Sequence, residues 1–539
     1  MTLVRKLVWP LVGLCIIASG CSRMRYAPPL TQPIIRVGIL EGQDAIYFET
    51  ADDFNLVAQN PDESAKAFER GLWKATVHAF NPEGARYIAL LYDSRERARA
   101  DEFAGRMRAR GIAVRIEPRG EALVIDGHNL VDRRTFRVRA ERDFSSKSEA
   151  ETFLKAYPDI QGRVQRDPAQ TGLGKIALLS PNGHTSLISD AIRLSGTNIT
   201  LRNVEVGSGY HWARNETRTY GGEIELRIGA DGKLLAINVV EIELYLRGVV
   251  AGEMANSFPV EALKAQAIVS RTLFFNTFGR FHRDSEFDVC DDVHCQAYVG
   301  LPRNAAAVES AVHDTKGLVL TYQDALCTAS YSAVCGGHTA RASEVWDSDG
   351  EPYLQGLLDT RTTLGTLDLT REENARTWIE GKPDVCCNLE SAGKPDFGRY
   401  AEKYFRWQQK VTQEELQRVV RDRTGVDVGE IRDIILLKRG VSGRLMAVDI
   451  TGSKDHVVVR KELNIRRALS ASALYSACFV IEKELDAAGH VDAVIFKGAG
   501  WGHGVGLCQL GAAVRAREGQ KVSDILHAYY PGTTIKQLY

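Results

Sequence analysis

At 539 residues the chain is too long to be organised around one hydrophobic core. Single cores stop growing at about 250–300 residues, so several folding units are expected. The hydrophobic fraction is 44% and the charged fraction 25%, enough apolar material for ordinary globular domains. Basic and acidic side chains number 68 and 69, and no basic tract stands out. No nucleic-acid partner is therefore expected.

The first residues constrain the compartment. Arg5 and Lys6 precede an apolar run from Leu7 to Ile17, interrupted by Pro10 and followed by Ala18, Ser19, Gly20 and Cys21. A run this short with small residues behind it reads as a secretory signal over 1–20. Small residues before Cys21 resemble a lipobox, which makes Cys21 the candidate lipidation site and the membrane a partner through that lipid. Ala18 stands where a lipobox usually has Leu, so a plain signal peptide or an uncut anchor is the alternative. The expected location is the cell envelope: the periplasm or outer membrane if the host has two membranes. Pro28, Pro29 and Pro33 make 21–33 a tether. Beyond Cys15 and Cys21 there are Cys290, Cys295, Cys327, Cys335, Cys386, Cys387, Cys478 and Cys508. An exported protein can oxidise its thiols, but eight in so long a chain are not a disulfide scaffold.

Periodicity divides the remainder. Ile34–Leu40 opens a small β-rich segment over 34–83. From 84 to 170 a strand–helix pattern occurs twice: Tyr87–Leu91, a helix from Arg95 to Ala109, then Ile112–Ile116; and Thr135–Ala140 followed by a helix through Phe153. Ser146 with Glu149 three residues later is a capping-box signal. This duplicated pattern resembles the small sporulation-related repeat domain, which implies peptidoglycan binding; any small α+β domain is the alternative. After Gly172–Gly174, further strands (Ile176–Leu179, Thr200–Val206, Ile224–Ile228) lead into a domain over 175–539. The expected class is multidomain α+β, a catalytic α+β domain preceded by small α/β-type modules.

The densest chemistry begins at Glu241. Glu253 follows the apolar Val249, Val250 and Ala251 and precedes Met254. A carboxyl among apolar groups has a raised pKa, because desolvation disfavours its anion, and that suits a general acid. A solvated loop glutamate is the bland alternative. Ser257, Pro259 and Glu261 supply start signals for a helix whose apolar face is core. His282, Cys290, His294 and Cys295 offer two thiolates and two imidazoles, a sensible tetrahedral zinc set, with a disulfide as the alternative. Gly502–Gly506 is glycine-rich but lacks the Lys-Ser/Thr of a phosphate loop. Its His503 and the adjacent Trp501 either line a sugar-binding groove or form a tight structural turn.

The run Tyr245–Met254 (YLRGVVAGEM), then Pro259–Ala267 and Ser270–Thr272, resembles the stage II sporulation protein D family. Cys290, His294–Tyr298, Thr315–Tyr322, Tyr331, Gly336–Thr339, Val345–Trp346, Pro352–Leu354, Ser442–Arg444, Gly498–Gly506, Gln509–Ala512 and Tyr529–Thr533 follow in the same order, so the resemblance spans about 222–539. It implies a lytic transglycosylase acting on peptide-stripped peptidoglycan glycan strands beside a cell-wall amidase, with 1,6-anhydro-N-acetylmuramic acid ends as product. Glu253 matches the family's catalytic position. Gln266, Arg271, Tyr331, His338, His503 and Gln509 lie in matching motifs as substrate-binding candidates or structural hydrogen-bonding residues. The resemblance also implies structural zinc at Cys290, His294 and Cys295, with His282 as a weaker fourth ligand. Some superfamily members are described as amidase enhancers, and that non-catalytic role is the competing reading. A zinc hydrolase fits less well, because no His-Glu-x-x-His motif exists. Residues 361–435, with Trp378 and the Cys386–Cys387 pair, match no motif.

Overall fold

The strand Ile34–Gln43 does not belong to a separate N-terminal unit. It pairs antiparallel with Leu234–Glu241, about two hundred residues away. In the computed structural model, which describes residues 32–539 except 58–65, 82–85, 120–121, 126–127, 133, 168–173, 209, 211, 230, 279–280, 283–284, 349 and 362–366, segments 34–80 and 174–241 together build two sheets. One has seven strands, with Ile34–Gln43 between Val289–Cys290 and Leu234–Glu241. The other has six, with Gly71–Phe80 between Gly174–Leu179 and Ala45–Thr50. Ala45–Thr50 shows why they pack: Ile46, Phe48 and Thr50 are buried, while Tyr47 and Glu49 point outward. Both sheets feed one core that holds Val37, Phe48, Trp73, Leu201 and Leu226. The expected signal peptide, Cys21 and tether residues 21–31 lie outside the described residues.

The expected separate unit over 34–83 is corrected by the same pairing, which joins it to the segment after 174. Residues 87–166 form an insertion, entered after Gly71–Phe80 and left before Gly174–Leu179, and those two strands are neighbours with Gly174 opposite Phe80. Within it, Tyr87–Ser94, Val114–Arg119, Thr135–Ala140 and Arg163–Arg166 make a four-stranded antiparallel sheet, the last strand lying beside the first. Helices Arg97–Ala109 and Lys147–Lys155 complete a split βαβ arrangement. Ser146 caps the second helix by accepting from the Glu149 amide at 3.1 Å. Glu149 reaches back one residue further than expected, to the Ser145 amide at 3.0 Å.

The strand Leu234–Glu241 runs directly into the helix Ile242–Glu253, and the helix Val260–Thr277 follows. The second helix is buried on nearly every side (Leu263, Gln266, Ala267, Ser270, Arg271 and Phe274 among others), as expected of a helix at the centre of a core. Ser257 does not cap it. Pro259 occupies the N-cap position and no side chain bonds the first turn.

Residues 406–499 build a second lobe with its own core of Trp407, Leu416, Val448, Ile450, Phe479 and Phe496. Two three-stranded sheets, Phe479–Leu485/Val491–Ala499/Arg406–Thr412 and Ile431–Arg439/Leu445–Gly452/His456–Arg460, flank the helix Gln413–Thr424. The chain is thus a multidomain α+β protein. Among the described residues no helix is long and apolar enough to cross a membrane.

Candidate functional site

Glu253 is the last residue of its helix, where the backbone turns out toward Met254. Two glycines one helical turn apart let the segment after Cys295 lie against that helix. A Cβ on Gly248 would stand 2.4 Å from the Gly300 carbonyl oxygen, and one on Gly252 would stand 2.6 Å from that of Ala297. The approach brings the Ala297 amide to donate to Glu253 Oε1 at 3.0 Å. On the other side Gln509 Nε2 donates to Oε2 at 3.3 Å. Burial holds the carboxyl above the ordinary glutamate range, against Ala297, Tyr331 and Gln509, which favour its anion.

These contacts close into a ring. Gln509 Nε2 also reaches Gln266 Oε1 at 3.3 Å, Gln266 Nε2 donates to Ser270 Oγ at 2.9 Å, and Gln296 Nε2 donates to the Ser270 carbonyl at 3.2 Å. Tyr331 donates to Gln296 Oε1 at 3.0 Å, and its hydroxyl also bonds Glu253. A hydroxyl has one proton and can accept as well. With Glu253 protonated, Tyr331 can accept from it while donating to Gln296; with Glu253 ionised, the Tyr331 proton can turn to the carboxylate. The ring therefore accommodates both protonation states without moving a heavy atom.

Glu253 lies in a cleft of about 1650 Å³, walled by aromatic rings that include Tyr210, Trp212, Trp346, Tyr400 and Trp501. That exceeds the usual range for small-molecule pockets, about 300–1,000 Å³. Trp501 packs on Tyr404 with ring centroids 4.2 Å apart and meets Trp212 edge-on at 5.6 Å. At the second lobe's margin, Asn464, Arg466 and Arg467 add polar groups to the wall.

The expected binding residues separate into three groups. Tyr331, Gln509 and His503 line the cleft. His503 is driven by burial to a pKa of about 4 and is neutral; its Nδ1 accepts from the Val505 amide at 3.0 Å, which leaves the proton on Nε2. Gln266 stands one layer behind, wholly buried, in contact with Gln509. Arg271 and His338 are not part of the cleft wall. Arg271 makes a buried two-pronged ion pair with Glu243 at 2.6 and 2.8 Å, a structural position. His338 Nδ1 bonds the Thr339 carbonyl at 2.7 Å. Gln296, inside the matched motif, and the distant Trp212 and Arg466 had not been singled out. Gln296 had a local signal; Trp212 and Arg466 are brought in by tertiary folding alone.

His294 and Cys295 also line the cleft, and the ligand atoms of His282, Cys290, His294 and Cys295 all lie within 4.8 Å of one another. His294 Nδ1 is 3.8 Å from each sulfur. His282 Nε2 is buried with no hydrogen-bond partner among the described residues. Two sulfurs, two imidazoles and an orphaned ring nitrogen fit a tetrahedral cation such as zinc.

A raised carboxyl gripped by Ala297, Gln509 and Tyr331 in an aromatic-walled cleft defines a candidate for acid–base chemistry on an extended ligand. The segment that carries it, residues 230–322, matches the family model described as stage II sporulation protein; residues 340–506 match a domain of unknown function, DUF8618. The chain is 30% identical over 298 residues to the amidase enhancer of Bacillus subtilis (strain 168), covering 54% of this chain and 40% of that protein. It is 27% identical over 318 residues to stage II sporulation protein D of Bacillus amyloliquefaciens, covering 56% of this chain and 76% of that protein. Over this region the chain is similar to the stage II sporulation protein D family, and it spans less than half the length of the Bacillus subtilis relative.

Proposed function

We propose that the protein is a peptidoglycan lytic transglycosylase with Glu253 as its acid and base. The observation that carries this reading is the raised carboxyl of Glu253, gripped by Ala297, Gln509 and Tyr331 in an aromatic cleft. Aromatic walls suit pyranose faces, which stack on rings through their C–H bonds. In the first step Glu253 gives its proton to the bridging oxygen between N-acetylmuramic acid and N-acetylglucosamine as the C1–O bond breaks. In the second, the ionised carboxylate takes the proton from the muramic 6-hydroxyl as that oxygen bonds to C1. Water is not consumed, and Glu253 ends protonated. One carboxyl serves both steps, unlike the two-carboxylate glycosidase scheme.

In this reading the insertion over 87–166 is a wall-binding module, and the membrane attachment through Cys21 belongs to the same proposal. His282, Cys290, His294 and Cys295 would hold zinc, which supplies a structural crosslink when bound. It would fix the segment whose next residues, Gln296 and Ala297, grip the acid.

The test is digestion of isolated glycan strands, with and without stem peptides, read by mass spectrometry. Anhydro-muramyl ends from peptide-stripped strands, lost in Glu253→Gln, support the reading. The name of the Bacillus subtilis relative favours a second one, a non-catalytic partner that enhances a wall amidase. Intact strands together with faster amidase action, equal for wild type and Glu253→Gln, would establish that alternative.

A further inference from the structure

Three cysteines that neither the Glu253 cleft nor the His282 cluster uses meet in the core. Cys335, Cys387 and Cys508 are fully buried, with their sulfurs within 4.8 Å of one another. They come from three separate places. Cys335 follows the strand Tyr331–Ser332. Cys508 ends the parallel strand beside it and is the N-cap of the helix Gln509–Arg517. Cys387 lies beyond the helix Glu372–Glu380. A fold that brings three thiols together from such distances has a contact to satisfy.

Burial pushes the Cys335 and Cys387 thiols up, while hydrogen-bond donors hold Cys508 below the ordinary thiol range. The Cys335 amide donates to Cys508 Sγ at 3.2 Å, and the Gly511 amide donates to the same sulfur at 3.4 Å. The Gly337 amide donates to Cys335 Sγ at 3.4 Å. Neutral thiols are weak acceptors, whereas thiolates attract N–H groups and are stabilised at helix N-termini. The Arg406 guanidinium acts electrostatically on Cys387 and Cys335. Asp359, whose Oδ2 is 3.7 Å from Cys335 Sγ, is already engaged by Arg515 at 2.8 Å and by the Tyr529 hydroxyl at 2.8 Å.

The spacing suits a shared ion. Cys335 and Cys387 sulfurs stand 3.7 Å apart. Two thiolates on one cation at about 2.3 Å each, in tetrahedral geometry, are separated by about 3.8 Å. Pairing any two as a disulfide strands the third, while a metal uses all three. Soft thiolate donors select Zn²⁺ or Cu⁺.

We propose that Cys335, Cys387 and Cys508 form a buried three-thiolate site for a soft d¹⁰ cation, Zn²⁺ or Cu⁺, separate from the His282–Cys295 cluster. The ion joins the strand pair Tyr331–Ser332/Leu507–Cys508 to the loop carrying Cys387. Because Gln509 follows Cys508 and Tyr331 opens the paired strand, the ion also holds two residues that bond Glu253 in their register. The inference stands whether or not the protein cleaves glycan.

The test is elemental analysis of the purified full chain for zinc and copper. Cys387→Ser is expected to carry one equivalent less of one metal than wild type, whatever the His282 cluster holds. Zinc lost identifies Zn²⁺ and copper lost identifies Cu⁺. To separate metal loss from misfolding, Cys290→Ser/Cys295→Ser protein, with the other cluster disabled, is loaded with Co²⁺. Thiolate-to-cobalt charge-transfer absorption at one equivalent is expected from the three remaining ligands. Equal metal content in wild type and Cys387→Ser, or no thiolate band with Co²⁺, overturns the proposal, as does a disulfide among the three found by peptide mapping.

Discussion

The Ala297 amide donates to Oε1 of Glu253 at 3.0 Å, and Ala297 lies only two residues beyond Cys295. The acid is therefore anchored to the same short segment that supplies three of the four residues in the Cys/His cluster. Any change that shifts this segment reaches the carboxyl without touching it.

Glu253→Gln keeps the shape and removes the proton chemistry. Turnover on stripped glycan strands is expected to fall by about 10²–10⁴-fold, the usual worth of a general acid. Because burial raises the folded-state pKa of Glu253, its contribution to stability is fully present below the unfolded value and is lost as pH rises through the folded one. Wild type should therefore lose stability relative to Glu253→Gln as pH climbs out of the acidic range. Paired thermal melts across pH check the sign.

Gly252→Ala tests the close approach. Its Cβ would meet the Ala297 carbonyl at 2.6 Å. The segment must retreat, at a cost of about 1–3 kcal/mol. Activity should fall more than stability, because the Ala297–Glu253 bond lengthens first. Turnover measured beside a denaturation curve separates the two.

Tyr331→Phe removes a hydroxyl that favours the Glu253 anion. The Glu253 pKa should rise further, and the alkaline limb of the pH–rate profile should move upward. The lost bond to Gln296 should cost about 1 kcal/mol of stability. An unmoved limb would separate Tyr331 from the titration of the acid.

Arg271→Met leaves Glu243 buried without its cation. A loss of about 3–5 kcal/mol is expected, and Arg271→Met/Glu243→Leu should recover much of it. KM for glycan should not change in any variant that folds, which distinguishes a structural arginine from a substrate contact. Urea denaturation and steady-state kinetics give both readouts.

His294→Ala should lower the zinc content by one equivalent and the melting temperature with it, while Cys335, Cys387 and Cys508 keep their ion. Elemental analysis of the variant checks this directly.

The sequence made local features legible and left distant ones hidden. Strands such as Tyr87–Leu91 and Thr135–Ala140 follow from periodicity alone. Glu253 and the cluster of His282, Cys290, His294 and Cys295 were readable because their chemistry is concentrated within about 45 residues. The pairing of Ile34–Gln43 with Leu234–Glu241 was not readable, because strand partners at that separation leave no local trace. Arg271 and Glu243 lie only 28 residues apart, but their pairing depends on how two successive helices pack, which periodicity does not give. The meeting of Cys335, Cys387 and Cys508 spans more than 170 residues and emerges only in three dimensions.

The insertion over 87–166 has its two attachment points side by side, with Gly174 opposite Phe80 on adjacent strands. In topological terms it is a hairpin loop that grew into a domain. Closing a loop costs little more as it lengthens, so the sandwich stays nearly indifferent to what is carried there. A different unit, or a two-residue turn, can occupy the same position. What the insertion carries can thus change on an evolutionary timescale while the geometry around Glu253 is left alone.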